Sequence, residues 1–236
     1  MDLLAAESRS LPAIFSLSFL VALTGAMAPG PLLTYTIVRA IGSHHGYLMG
    51  LWIVLGHAAL ELALIAGLLW GLALFLAQAA VVRAIGVAGG FVLILFGAGL
   101  LRDVAAGRIA TDLAAVEEGG ATAGRWGRAN PVLGGAVISM ANPYWWVWWA
   151  SIGAAFMSQF GVSFDSWPTL AVFFLGHEAG DLAWYLVVSA GAFWGRQRLS
   201  RRAYHAVLVC CGLFMIGFGL YLGVVPFLAG PVTAAG

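Results

Sequence analysis

The feature that most constrains this chain is the length of its uncharged apolar stretches. Most of them reach the roughly 20 residues a helix needs to cross a bilayer. In lipid, a spanning segment must satisfy its own backbone polar groups, which leaves helices and closed barrels. The stretches do not alternate with period two, which argues against a barrel. Only 9% of the residues are charged, against about a quarter in a typical soluble domain. An all-α integral membrane protein is therefore expected. Its 32 glycines suit close helix contacts in lipid. A formal net charge of +1 argues against nucleic-acid binding, which needs a basic patch.

Six spans are predicted, over about 11–41, 47–77, 85–101, 131–160, 168–194 and 204–228. The first is broken at Pro29-Gly30-Pro31 and the fourth at Asn142-Pro143. A polar stretch, 102–129, separates the third and fourth spans. It holds Asp103, Arg108, Asp112, Glu117, Glu118, Arg125 and Arg128. The loops after the first, third and fifth spans share one side of the membrane. They carry Arg39, then Arg102, Arg108, Arg125 and Arg128, then Arg196, Arg198, Arg201 and Arg202, against only Arg9 and Arg83 on the other side. The positive-inside rule makes the arginine-rich side cytoplasmic, with both termini outside the cytoplasm. A cell (plasma or inner) membrane location is expected. The stretch ending Ala26-Met27-Ala28 resembles a signal-peptide cleavage site. The residues before it are not basic, since Asp2 and Glu7 outweigh Arg9, so it is read as a retained helix.

The chain has no lysine, which excludes Schiff-base chemistry. Its only cysteines, Cys210 and Cys211, are neighbours in an apolar run, so no disulfide framework is on offer. No cofactor is implied.

The two halves resemble each other. Leu55-Gly56-His57-Ala58-Ala59-Leu60-Glu61-Leu62-Ala63 aligns with Leu175-Gly176-His177-Glu178-Ala179-Gly180-Asp181-Leu182-Ala183 at an offset of 120. The same offset pairs Gly97-Ala98-Gly99-Leu100 with Gly217-Phe218-Gly219-Leu220. Ala26-Met27-Ala28-Pro29 echoes Ser139-Met140-Ala141-Asn142-Pro143 more loosely. Three spans per half is odd, so the second half must enter the membrane from the opposite side, as in many secondary transporters. The expected organisation is a first three-helix repeat over 1–101, a cytoplasmic loop over 102–129 and a second, inverted three-helix repeat over 130–236. Chance similarity between glycine-rich segments is the alternative.

Two features point to a site. Proline removes a backbone donor and clashes with the preceding turn, so Pro29-Gly30-Pro31 and Asn142-Pro143 interrupt their helices. Paired interruptions in matching positions point to a substrate site; simple packing kinks are the alternative. His57 and Glu61 are four apart and share a helix face. His177 and Asp181 repeat that pair, with Glu178 on a neighbouring face. Charge in the bilayer interior is costly, so such residues usually face a cavity, a partner or an ion path. Histidine titrates near neutral pH, so a His/carboxylate pair can carry a proton; the alternative is a hydrogen bond that only locks two helices together. Trp145, Trp146, Trp148 and Trp149 follow the second break. Such clusters often mark the membrane interface, but Trp145 and Trp149 could line a site and meet an ammonium by cation–π attraction, as could Trp184 and Tyr185. Glycines spaced by four residues, as at Gly42, Gly46 and Gly50, read as helix contacts. The arginines from Arg196 to Arg202 read as a topology anchor.

Ala28-Pro29-Gly30-Pro31 in a first span, six helices in two inverted halves and Asn142-Pro143 in the fourth span resemble the lysine-exporter (LysE/RhtB) family of the LysE superfamily. The segment Gly176-His177-Glu178-Ala179-Gly180-Asp181-Leu182-Ala183-Trp184-Tyr185 is similar to a branch of it. Two departures stand out: Tyr144 follows Asn142-Pro143 where the family often has a lysine, and typical members lack so many paired His and acid residues. The resemblance implies amino-acid export driven by the proton gradient.

The leading expectation is a secondary transporter, a proton-coupled exporter of an amino acid or related small amine. Glu61 and Asp181 would carry protons or meet the ammonium, and the helix ends at Pro29, Gly30, Pro31, Asn142 and Pro143 would meet the carboxylate. The alternative is a divalent-metal-ion transporter with His57, Glu61, His177 and Asp181 as ligands. An intramembrane enzyme is disfavoured because no motif positions a nucleophile. The expected partners are a small-molecule substrate, protons and the lipid bilayer, and association into a homo-oligomer is left open.

Overall fold

The computed structural model describes residues 10–28, 30–76, 78–107, 129–196, 198 and 200–228. Pro29, Arg9 and, in the central loop, Arg108, Asp112, Glu117, Glu118, Arg125 and Arg128 lie outside them. The described residues form helices α1 (Leu11–Ala26), α2 (Pro31–Ile41), α3 (Met49–Leu69), α4 (Leu72–Leu76), α5 (Ala79–Ala105), α6 (Pro131–Met140), α7 (Pro143–Trp148), α8 (Ala154–Phe160), α9 (Trp167–Arg196) and α10 (Arg201–Leu228). A 3₁₀ turn, Gly46–Leu48, precedes α3, and a π-helical turn, Trp149–Gly153, joins α7 to α8.

Among the described residues, four stretches are long and apolar enough to cross a bilayer: Gly46–Leu69, Arg83–Ala105, Trp167–Arg196 and His205–Val224. The pair α1 and α2, bent by 82° at the first break, makes a fifth if taken as one span. The expected fourth span is divided into α6, α7, the π turn and α8, so no single helix there has the needed length. The cause is local. Pro143 opens α7 at its first turn, where its missing N–H costs nothing, and the chain at Asn142 is extended. The second span also ends earlier than expected. Helix α3 stops at Leu69, and Gly71, with φ +94°, turns the chain into the short α4. Only glycine adopts that conformation readily.

The helices pair across the two halves of the chain. Helix α1 packs on α9, α3 on α6, and α5 on α10. The contacts answer one another. A Cβ on Gly56 of α3 would strike the Val132 carbonyl of α6, and one on Gly176 of α9 would strike the Phe15 carbonyl of α1. Gly135 of α6 lies against the Ile53 carbonyl, and Ser18 of α1 donates to the Phe173 carbonyl at 2.6 Å. One register shift therefore carries Val132 and Gly135 onto Phe15 and Ser18, while the 120-residue offset carries Ile53 and Gly56 onto Phe173 and Gly176. Small residues at such points let backbones approach closely, which holds helices together where lipid offers no hydrophobic drive.

Candidate functional site

The crossing of α3 with α6 and of α9 with α1 brings both His/acid pairs to one place. His57, Glu61, His177 and Asp181 are all buried. His57 Nε2 stands 3.0 Å from Glu61 Oε1 and 3.2 Å from Asp181 Oδ2. His177 Nε2 is 3.4 Å from Glu61 Oε2 and 3.8 Å from Asp181 Oδ2. The two pairs, separate in the sequence, thus form one cluster in which each histidine faces the acid of the other half.

Span four supplies the surrounding donors. Trp145 and Trp149, one turn apart, both donate their indole N–H to Glu61 Oε1 at 2.7 Å. With His57, that oxygen has three polar neighbours in a place where Glu61 is only 1% exposed. Acceptors shared by several donors in this way are characteristic of an ionised carboxylate. His57 Nδ1 lies 2.7 Å from Ser139 Oγ, and the Ser139 hydroxyl donates to the Gly135 carbonyl at 2.8 Å. The serine hydrogen being spent on the carbonyl, His57 Nδ1–H is the donor to Ser139. The nitrogen facing the two carboxylates is therefore Nε2.

The cluster forms the floor of a cavity of about 480 Å³ between the two interrupted spans, within the usual range for small-molecule sites. Its walls include Gly25, Gly30, Leu32 and Leu33 from the first span, Asn142, Trp145, Trp148 and Trp149 from the fourth, and Tyr185 from α9. Exposed Thr24, Tyr144, Val147 and Ile152 stand at its open side. The two interruptions differ. Asn142 caps α7 by accepting from the Tyr144 N–H at 3.1 Å, whereas the α2 cap is Gly30, which has no side chain to occupy the first N–H groups.

A model of the LysE type translocator family matches residues 23–225. The chain belongs to that family. No curated protein and no solved structure matches it. This LysE type translocator is accordingly a multi-pass membrane transporter, from a family of translocators and not of enzymes. The match runs from α1 into α10, so every residue of the cluster lies within it.

Of the residues expected at a site in the translocator, Gly30, Asn142, His57, Glu61, His177 and Asp181 line the cavity, as do Trp145, Trp149 and Tyr185. Pro31 and Pro143 are buried at the starts of their half-helices, and Pro29 is outside the described residues. Glu178 does not line the cavity. Both its carboxyl oxygens are buried without a hydrogen-bond partner. Trp184 also lies off the cavity, its indole nitrogen buried without a partner. Sequence reasoning missed Ser139 as a functional residue and did not single out Trp148 as lining. A lone hydroxyl in the apolar run of α6 was the available signal for Ser139.

Proposed function

We propose that this translocator exchanges protons for a small amine, an amino acid or close relative, and exports it from the cell. The observation that carries the reading is His57 Nε2 between Glu61 and Asp181 at the cavity floor. A neutral Nε2 would turn a lone pair on two carboxylates. A positive charge belongs there: a proton on His57, or a cation entering from the cavity. A substrate ammonium that reaches Asp181 competes with that proton for the same carboxylates. Loading the amine then releases the proton, and reloading the proton expels the amine. Coupled exchange follows from the site having room for one of the two charges.

Other contacts fit this use. The uncapped start of α2 at Gly30 offers backbone N–H groups and a positive helix end to the substrate carboxylate. The Asn142 side chain already occupies the corresponding position at α7, so α2 is the better anion end. The ring of Trp148 lines the cavity and can hold the ammonium by cation–π attraction.

The organisation we propose is an inverted pair of three-helix repeats, 1–101 and 130–236, joined by a cytoplasmic loop. The reciprocal contacts of α1 with α9 and α3 with α6 support it. The protein is proposed to lie in the cell membrane with both termini outside the cytoplasm; labelling of terminal tags on intact cells tests this, and a tag reached only after permeabilisation would overturn it. The central test is transport in proteoliposomes with an imposed proton gradient. Asp181→Asn and Glu61→Gln should each weaken gradient-driven amine movement, Asp181→Asn the more strongly. Undiminished transport in both would sink the mechanism.

A further inference from the structure

We infer that His57 Nε2, Glu61 and Asp181 form a binding site for one divalent transition-metal ion of the zinc type. The inference rests on the donor geometry and not on the amine-exchange reading. One ligand atom from each of the three residues lies within 4.8 Å of the other two. His57 Nε2 is 3.0 and 3.2 Å from its carboxylate neighbours. Zinc bound to nitrogen and oxygen at about 2.0–2.2 Å in a tetrahedron places its ligands roughly 3.3 Å apart. His57 Nε2 therefore already stands near the spacing one ion requires from each carboxylate, and the two carboxylates lie within 4.8 Å of each other.

The groups behind the ligands are also those a metal site uses. A ligating histidine almost always donates its other ring N–H to a fixed acceptor, which sets the tautomer and aims the free nitrogen. Ser139 is that acceptor for His57. Glu61 is oriented by Trp145 and Trp149 on Oε1, which leaves Oε2, buried and without a hydrogen-bond partner, as a second ligand atom. His177 Nε2, 3.4 Å from that oxygen, stands ready as a fourth donor. The cavity gives an entry path and room for a water in any open position. An imidazole with two carboxylates and no thiolate favours a borderline ion over a soft one. The ion would stand where the His57 proton stands, so the two exclude each other.

Calorimetry on the purified, detergent-solubilised protein with Zn²⁺ alone tests the site. The expected result is one saturable site per chain. His57→Gln and Asp181→Asn should each weaken it at least about 100-fold, whereas His44→Ala and His45→Ala should leave it unchanged. Ser139→Ala keeps every ligand and frees only the ring, and should cost about 10- to 100-fold. It decides the matter if a ligand variant fails to elute as a folded species. Co²⁺ in place of Zn²⁺ should give the intense visible absorption of a tetrahedral N/O site, lost in His57→Gln. Absence of saturable binding, or binding untouched by the His57 and Ser139 variants, would overturn the inference. Metal binding without amine transport would leave this site standing and remove the exchange reading; amine transport without metal binding would do the reverse.

Discussion

Helix α3 and helix α9 carry the same pair of residue types at the same spacing, yet their surroundings differ. On α3, Glu61 receives two indole N–H groups and has His57 at 3.0 Å and His177 at 3.4 Å, and His57 is locked by Ser139. On α9, Asp181 has His57 at 3.2 Å and His177 at 3.8 Å, and His177 Nδ1 is buried without a partner. The difference comes from the opposite half of the chain. Span four brings Ser139, Trp145 and Trp149 to the α3 pair. The corresponding wall from span one is Ala22, Leu32 and Leu33. The shared His/acid spacing of α3 and α9 explains where the four residues stand. Divergence of the crossing spans explains what each can do: Glu61 is a held charge, and Asp181 is the acid left with capacity to meet something else.

The largest expected effect separates the two acids by stability. Removing a partner from a buried, multiply bonded charge network typically costs about 3–5 kcal/mol. Glu61→Ala strands two indoles and removes an acid from beside both histidines, and should lower thermal stability by an amount of that order. Asp181→Ala strands only the histidine side and should cost clearly less. Equal shifts in midpoint in detergent would erase the distinction between the halves.

Transport should order the two the other way. Asp181→Asn keeps the shape and removes the charge proposed to meet the ammonium. A hydrogen bond to a charged group is worth about 1.5–3 kcal/mol, so apparent substrate affinity should fall by about 10- to 100-fold with the fold intact. A substrate titration in proteoliposomes measures it. Unchanged affinity would move the substrate charge onto Glu61 and reverse the assignment.

Trp145→Phe and Trp149→Phe sharpen the account of the held side. Each removes one indole N–H from the same oxygen, at about 1.5–3 kcal/mol. Because both act on one carboxylate, the double variant should depart from additivity, with a coupling of about 0.5 kcal/mol or more. Strict additivity in unfolding midpoints would mean that the two indoles do not share Glu61.

These contrasts mark what the sequence carried and what it did not. The pairs His57/Glu61 and His177/Asp181 were legible because a helix sets residues four apart on one face and because the 120-residue offset repeats them. The interruptions were legible because proline leaves a helix few options. Convergence of both pairs on one cluster was not, since helix period fixes a face without naming the helix it meets. Glu178 was grouped with the site for its chemistry, yet one residue along the helix is enough to turn it off the cavity. Ser139 was quoted only within the loose echo of Ala26-Met27-Ala28-Pro29; its role depends on a residue 82 positions away. The early end of α3 turned on the single glycine at position 71.

The smallest expected effect asks whether the asymmetry can be reduced. The register shift that carries Gly135 onto Ser18 carries Ser139 onto Ala22, which lines the cavity together with His177. Ala22→Ser should therefore set a hydroxyl beside the unpartnered His177 Nδ1 and give it the acceptor that His57 already has. A typical intramolecular hydrogen bond contributes about 0.5–1.5 kcal/mol, so the midpoint should rise modestly. Ser139→Ala is the mirror experiment and should lower it by a similar amount, because it leaves the His57 N–H buried and unmet. The pair of substitutions tests the correspondence itself. If Ala22→Ser were neutral or destabilising while Ser139→Ala behaved as expected, the crossing of α1 with α9 would not be equivalent, at the level of single atoms, to that of α6 with α3. The difference between the two histidines would then come from packing around Gly180, whose neighbour is the Ala22 Cβ, and not from one absent hydroxyl.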